Sequence, residues 1–225
     1  MPYSKAFSNF SNEKINTLFL FLIVVTLFSS CAKEKESEFQ SIFDGLTYTG
    51  WEGDKDFFRI EKGAIVAGAL DRKIPTNQFL CTEENYGDFE LRMKVKFTSR
   101  ENNAGIQFRT SRIPNNHEVI GYQADVGFIP GRPVWGCLYD ESRRNKFLVE
   151  PSAEKVLKIL KPDSWNDYLI RCEGSHIQFW LNGEPIMEYL EEDESIPQSG
   201  VICVQIHGGT PAEAWYKDIE IKALP

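Results

Sequence analysis

The segment GYQADVG places two polar side chains on one face of a predicted strand. Because side chains alternate across a strand, Tyr122 and Ala124 share one face, while Gln123 and Asp125 share the other. An amide and a carboxylate are directional hydrogen-bonding groups, and each can engage a pair of hydroxyls, as sugar recognition requires. This polar face is therefore the first candidate for a ligand site.

Two further segments carry side chains of the same kind. GIQFRT directs Gln107 and Arg109 outward, and VICVQIH directs Gln205 and His207 outward. If the three strands are neighbours, their side chains form a lysine-free patch of donors and acceptors, with spacings of about 7 Å along each strand. The alternative is an ordinary solvated face. His207 precedes two glycines, and a histidine titrating near neutrality suits acid/base chemistry.

A charged segment, LYDESRRNKF, follows a glycine-bounded strand and forms a second cluster. One interpretation is a solvated loop whose charges pair with each other. The other is a loop at the rim of the site, where Asp140 or Glu141 fixes Arg143 or Arg144 against a substrate oxygen. The residues expected to contact a sugar here are Trp135, Tyr139, Asp140, Glu141, Arg143 and Arg144.

Short strands must position these residues, because no segment after residue 38 keeps a helical period for three turns. FELRMKVKF alternates apolar and charged side chains, and Asn182-Gly183 is typical of a type I′ hairpin turn. Strand patterns occur at 57–60, 64–67, 78–82, 89–97, 105–110, 122–126, 135–139, 167–172, 176–181, 184–189, 201–207 and 215–224. They predict an all-β, two-sheet antiparallel sandwich of jelly-roll type.

Composition limits the classes of function. The chain has 225 residues, a formal net charge of −8 and 42% hydrophobic residues, which is typical of a globular domain. An isoelectric point near 5.1 argues against a nucleic-acid partner, because phosphate binding needs a basic surface. We expect one domain over residues 39–225, with no second domain and no internal repeat.

The first thirty residues resemble a bacterial lipoprotein signal peptide. Two lysines precede the apolar run LFLFLIVVTLF, which is too short to span a bilayer and ends in Ser-Ser-Cys31. Phe28 stands where leucine is usual in a lipobox; the alternative is a plain secretory signal. We expect lipidation at Cys31, a charged tether over 31–38, and a location in the bacterial cell envelope, at the periplasmic or outer-membrane surface. Only the lipid would contact the membrane.

The other four cysteines, Cys81, Cys137, Cys172 and Cys203, lack the spacing of a zinc site. An oxidising envelope permits up to two disulfides, with three possible pairings. Buried free thiols are an equal alternative, since each cysteine lies in an apolar strand.

The order of these segments resembles the 3-keto-disaccharide hydrolase family. The resemblance covers about residues 40–224 and rests on FDGLTYTGW, DFELRMKVKF, NNAGIQFR, GYQADVG, WGCLYDESRRNK, SWNDYLIRCEGSHIQFWLNG, VQIHGG and YKDIEIKAL. It implies a concanavalin A-like, laminarinase-like jelly roll. It also implies cleavage of the glycosidic bond of 3-keto-glycosides that a partner sugar oxidoreductase has made. The ketone acidifies the C2 hydrogen, and the resulting enediolate expels the group at C1.

The resemblance implies a base, an acid and a stabiliser of the enediolate oxygen. We assign His207 or Asp125 as base and acid, Arg109 or a loop arginine as stabiliser, and the three glutamines as orienting groups. The commoner family pattern has Glu then Gln where this chain has Gln123 then Asp125. If that Glu transfers the proton, Asp125 replaces it or the activity is changed or lost.

No cofactor is predicted with a full ligand set. A divalent cation held by Asp125 and His207 could polarise the ketone, but the sequence offers no third ligand.

Two other functions fit the same sequence. A non-catalytic, lectin-like carbohydrate-binding lipoprotein would present an open groove with exposed aromatic rings and a peripheral His207. A structural envelope protein would leave Gln123 and Asp125 facing water or another protein.

Overall fold

A computed structural model of the protein describes residues 38–225, so the predicted signal peptide and nearly all of the tether lie outside the described residues. Sixteen strands and one α-helix make up the regular structure, apart from one turn of 3-10 helix. In chain order they are β1 (Gln40–Ser41), β2 (Trp51–Glu52), β3 (Phe58–Glu61), β4 (Ala64–Ala69), β5 (Gln78–Thr82), β6 (Phe89–Phe97), β7 (Asn103–Arg112), β8 (Val119–Ile129), β9 (Arg132–Pro133), β10 (Leu138–Glu141), β11 (Lys146–Val149), α1 (Ala153–Ile159), β12 (Asn166–Glu173), β13 (His176–Leu181), β14 (Glu184–Leu190), β15 (Val201–Ile206) and β16 (Ala212–Ala223).

Two antiparallel sheets of eight strands each form a sandwich, as predicted. Sheet I has the order β11-β10-β8-β7-β15-β5-β2, with β9 paired to β8. Sheet II has the order β14-β13-β12-β6-β16-β4-β3, with β1 paired to β16. The predicted turn at Asn182-Gly183 joins β13 and β14, and both residues have the positive φ that a type I′ turn requires.

The core between the sheets is filled by the inward residues of each alternating strand. Tyr122, Ala124 and Val126 all belong to it, so the opposite face of β8 carries Gln123 and Asp125. Burial of these apolar side chains supplies the main favourable free energy of folding, at about 25 cal/mol per Å² removed from water.

Two buried tyrosines of sheet II cross the core and hold sheet I from behind. The Tyr168 hydroxyl donates to the carbonyl of Asp125 at 2.9 Å. The Tyr216 hydroxyl lies 3.1 Å from the carbonyl of Gly105 and 2.6 Å from that of Gln205. These contacts fix the backbone directly behind the polar face.

The hairpin of β7 and β8 bends back over the outer face of sheet I. Its register shifts between Phe108 and Ser111, and Arg109 has a φ of 47°, which marks a bulge. Beyond the bulge, Val119 packs on Phe79 and on the two cysteines of a disulfide. We call residues 111–120 the hairpin tip.

Ion pairs and hydrogen bonds hold the hairpin tip down. Arg112 pairs with Glu52 at 2.7 Å and donates to the carbonyl of Phe79 at 3.1 Å. Asn77 donates to the Glu118 carboxylate at 3.3 Å. The tip therefore covers the β5 and β15 side of the sheet.

The cysteines take only one of the pairings that the sequence allowed. Cys81 and Cys203 are register partners on β5 and β15 and form a disulfide, while Cys137 and Cys172 are free and buried. No helix within residues 38–225 is long and apolar enough to span a membrane.

Candidate functional site

The outer face of sheet I carries a row of side chains that runs across six strands. Register pairs place Cys81, Cys203, Gln107, Gln123, Tyr139 and Phe147 side by side. The neighbouring row contains Phe79, Gln205, Gly105 and Asp125. The structure therefore brings the three predicted glutamines and Asp125 together. We call this surface the amide face.

A directed chain of hydrogen bonds connects the polar groups of the amide face. Thr110 donates to Gln107 at 3.1 Å, Gln107 donates to Gln123 at 2.7 Å, and Gln123 donates to Asp125 at 2.5 Å. Each amide is thus held in one orientation by its neighbours. The chain ends on a carboxyl oxygen, which is the group that can exchange a proton.

Gly105 provides the room for this chain. A Cβ at residue 105 would lie 2.4 Å from the Cδ of Gln123, because the Gln123 side chain lies across the glycine. Any larger residue would displace the amide that bonds to Asp125.

Gln205 has a side chain that is fully buried and has no partner. It is 0% exposed, and neither its Nε2 nor its Oε1 makes a hydrogen bond. Leaving a buried amide unpaired costs roughly 1–3 kcal/mol. An unpaired donor and acceptor in the second row are what a ligand hydroxyl would satisfy.

Two carboxyl groups on the amide face have raised pKa values. Burial is the main cause that raises the pKa of Asp125 well above its usual range; Glu141 adds to this rise, and the hydrogen bond from Gln123 opposes it. Burial also raises the pKa of Glu141 to about 7, assisted by the charge of Glu118.

Tyr139 stands between these carboxyl groups. It pairs with Gln123 in the register, and burial followed by the charges of Glu141 and Asp125 raises its pKa. A phenol and two carboxyl groups are the proton-bearing groups of this site. Strand alternation is the signal in the sequence that could have shown this arrangement, since Tyr139 and Glu141 alternate with the inward Asp140.

Arg132 is the cation of the site that sequence reasoning missed. It lies on β9, which pairs with β8, and its charge lowers the pKa of Asp125. Its guanidinium also lies 4.9 Å from the centre of the Phe147 ring and pairs with Glu150. The strand of two residues gave no periodic signal in the sequence.

The structure does not bring Arg109 to the amide face. The bulge turns its side chain toward sheet II, where it pairs with Asp88 at 2.7 Å and donates to the carbonyls of Gly87 and Gly174. Its side chain is 2% exposed. Arg109 therefore joins the two sheets, and all three of its guanidinium nitrogens bond to groups at the sheet II side, away from the amides.

The residues predicted to form a rim lie on two different faces of sheet I. Arg143 and Arg144 both pair with the fully buried Asp140, and Arg144 also pairs with Glu191. These charges pair with each other on the inward side, where Asp140 neighbours Tyr122 in the register. They do not face the amides.

Trp135 is a core residue and not a rim residue. It is 2% exposed and stacks on Tyr168 with 6.4 Å between ring centres. The predicted strand at 135–139 begins only at Leu138, because Gly136 has a φ of 78° and turns the chain.

His207 lies at the edge of the amide face. It is exposed, it directly follows β15, and its Nδ1 lies 2.6 Å from the carbonyl of Gly208. Strand β7 separates it from the strand that bears Asp125. No direct contact joins the two side chains among the described residues.

The donor set does not fit a resident metal ion. Within residues 38–225, no group of three or more His, Cys, Asp or Glu side chains is arranged to hold one. The Asp125 and His207 pair therefore lacks the further ligands that a divalent cation requires.

The chain belongs to the family of 3-keto-alpha-glucoside-1,2-lyase-like domains, whose model matches residues 38–222. Membership in this family indicates a glycosidase-like or carbohydrate-binding protein. No curated protein matches the chain.

Solved structures show the same fold at low identity. A candidate glycosyl hydrolase from Parabacteroides distasonis is 19% identical, with a TM-score of 0.62 over 83% of this chain and 94% of the other. A carbohydrate-binding module from Bacillus subtilis is 10% identical, with a TM-score of 0.59 over 77% and 96%. The β-glucanase of Bacillus licheniformis is 10% identical, with a TM-score of 0.55 over 84% and 98%. These matches establish the concanavalin-like jelly roll.

Proposed function

We propose that the protein cleaves the glycosidic bond of 3-keto-glycosides by elimination. A base removes the C2 hydrogen, the electron pair forms an enediolate with the C3 ketone, and the C1–oxygen bond breaks as an acid protonates the leaving group. Water then adds at C1, or the unsaturated sugar is released. Family membership supports the substrate class.

The observation that carries the proposal is the chain of glutamine hydrogen bonds that ends on the buried Asp125 carboxyl group, in the row that also holds the unpaired Gln205 amide. Two carboxyl groups with different environments can act as acid and base at one pH. Asp125, whose pKa is raised by burial, is assigned as the acid. Glu141, with a pKa of about 7, is assigned as the base, and His207 is the alternative base.

The remaining roles follow from position. Arg132, which replaces Arg109 in this scheme, stabilises the enediolate oxygen, because its charge already acts on Asp125. Gln107 and Gln123 orient Asp125 through their hydrogen bonds, and Gln205 binds a sugar hydroxyl.

The test is product release from a 3-keto-glucoside that carries a chromogenic leaving group. We expect wild type to release the chromophore and Asp125→Asn to lose about 100-fold or more in rate. Asp167→Asn, on the outer face of sheet II, is the matched control and keeps full activity. Equal rates for wild type and Asp125→Asn would contradict the assignment.

A sugar-binding function without cleavage is the second candidate. It is favoured by the separation of His207 from Asp125 and by the position of Arg109, whose side chain pairs with Asp88 away from the amide face. Calorimetric sugar binding by a wild-type protein that releases no product would support this alternative.

We also propose that the protein is a lipid-anchored envelope protein whose substrate comes from a sugar oxidoreductase. The lipobox-like Ser-Ser-Cys31 supports the anchor, and the need for a C3 ketone supports the partner. Cys31→Ser should move the protein from the membrane fraction to the soluble fraction; an unchanged distribution would exclude lipidation.

A further inference from the structure

A groove of about 970 Å³ lies away from the amide face, along the outer face of sheet II. A row of register partners crosses it: Trp180 on β13, Leu169 on β12 and Arg92 on β6. The Arg92 guanidinium lies 3.9 Å from the centre of the Phe39 ring, which forms the opposite wall. The groove thus has an apolar floor that ends in an aromatic ring on each side.

Trp180 differs from the other tryptophans on this face. Lys96 and Lys217 lie over the ring of Trp165, and Arg59 and Lys96 lie over that of Trp215. Among residues 38–225, no cation or aromatic ring stacks on Trp180, although its side chain is partly exposed. Its ring therefore lines the groove without a cation or aromatic partner.

Ion pairs border the apolar row. Lys94 pairs with Asp167 at 2.5 Å, and Arg92 pairs with Glu220 at 2.6 Å. Both basic side chains that line the groove are thus paired, and so are four of its five acidic side chains, because Arg171 pairs with Glu90 and Lys217 with Asp218. The acidic residues are Asp44, Glu90, Asp167, Asp218 and Glu220.

We propose that this groove is a second carbohydrate site, which holds a neutral glycan chain by stacking on Trp180. A sugar ring presents an apolar face for the indole and hydroxyl donors for the carboxylates beside it. The lining charges are paired, and the one further carboxylate is acidic, so the groove suits a neutral ligand and disfavours polyanions, including nucleic acid and acidic polysaccharides.

The geometry also favours a glycan over an extended peptide. The floor is the middle of a sheet, where strands β12, β6 and β16 already pair on both sides. A peptide that adds to a sheet needs a free edge for its backbone hydrogen bonds. The groove offers side chains and an aromatic platform instead.

The site would work independently of the amide face. The two surfaces lie on the outer faces of opposite sheets, so one can hold a polymer while the other contacts a sugar unit. The inference therefore stands whether or not the protein cleaves 3-keto-glycosides.

The test is native electrophoresis of the purified protein in gels that contain one of three glucans, namely hydroxyethyl cellulose, laminarin or dextran. A gel that contains gelatin serves as the polypeptide probe. We expect at least one glucan to retard wild type, and Trp180→Ala to weaken that association by about tenfold or more. Leu169→Glu, which places a charge in the same row, should also weaken it. Thermal unfolding of each variant reports whether the fold is intact.

Trp165→Ala is the matched control, because Trp165 is also a partly exposed tryptophan, directly precedes β12 of the same sheet and is covered by two lysines. It should keep the retardation, as should Asp125→Asn on the amide face. The proposal is overturned if none of the three glucans retards wild type, or if folded Trp180→Ala and Leu169→Glu are retarded normally. Retardation by gelatin alone, lost in Trp180→Ala, would assign the groove to polypeptides and also overturn it.

Discussion

The chemistry proposed for the amide face depends on how individual carboxyl groups are buried. Asp125 is 4% exposed and bonded to Gln123, whereas Glu141 is only partly buried and lies near the charge of Glu118. Burial favours the protonated form of a carboxyl group, and at Asp125 it outweighs the opposing charge of Arg132. We therefore assign Asp125 to donate a proton and Glu141 to accept one.

The pH dependence of cleavage should identify the base. If Glu141 is the base, kcat/KM rises with pH as its carboxyl loses a proton, with a midpoint at about 7. Glu118→Gln removes the neighbouring charge, so the pKa of Glu141 falls and the midpoint moves to lower pH. Chromophore release measured over pH 5–9 gives the midpoint for wild type and for Glu118→Gln.

Glu141→Gln should lower kcat/KM by about 100-fold or more and remove the rise with pH. Glu154→Gln, an exposed residue of α1 that pairs with Lys158, is the matched control and should keep the wild-type profile. If the rise of kcat/KM with pH persists in Glu141→Gln and is lost in His207→Ala, His207 is the base instead.

At this scale the sequence predicted which face Gln123 and Asp125 share, because alternation follows from strand geometry alone. It could not predict the orientation of Arg109. Alternation places Arg109 beside Gln107, but the bulge at a φ of 47° reverses its direction. The pKa values were equally beyond the sequence, since they arise from burial by residues distant in the chain.

At the scale of elements, the amide face depends on register between strands that are far apart in sequence. Gln107 pairs with Gln123 across the β7–β8 hairpin, and Cys203 pairs with Gln107 from a strand about ninety residues later. Composition and turn signals predicted most strands. The register, the short strands β1, β2, β9 and β11 and the folded hairpin tip follow from tertiary pairing, which leaves no local pattern.

Gly105→Ala tests whether the glutamine chain orients Asp125. The added methyl would lie 2.4 Å from the Cδ of Gln123, so the amide must move and its bond to Asp125 is lost. We expect a stability loss of about 1–3 kcal/mol and a clear fall in kcat, measured by urea unfolding and by chromophore release.

Gly87→Ala is the matched control for this change. A Cβ at residue 87 would meet only the Gln198 carbonyl at 4.0 Å, an ordinary contact. It should leave kcat unchanged. A fully active Gly105→Ala would show that the orientation of Gln123 does not matter for catalysis.

At the scale of the whole molecule, polar contacts across the core keep the two sheets in a fixed relation. Tyr168 and Tyr216 bond to carbonyls behind the amide face, and Arg109 joins sheet I to Asp88 and Gly174 at one end of the sandwich. The fold class could be predicted from the sequence, because strand spacing and turn residues are local. These inter-sheet contacts could not.

Arg109→Met should lower the free energy of unfolding by about 3–5 kcal/mol, because it leaves Asp88 and two carbonyls without their donor. Urea unfolding measures the loss. Arg112→Met, which removes a more exposed pair with Glu52, is the control and should cost less. Unchanged stability with lost activity in Arg109→Met would return Arg109 to the catalytic site.

The reaction proposed for the amide face begins with removal of the C2 hydrogen of a 3-keto-glycoside. The most direct measurement compares kcat/KM for a chromogenic 3-keto-glucoside with hydrogen or deuterium at C2. We predict that wild type releases the chromophore more slowly from the deuterated substrate, and that Glu141→Gln releases it very slowly from either substrate. Equal rates for the two substrates at every pH, with Glu141→Gln as active as wild type, would contradict it.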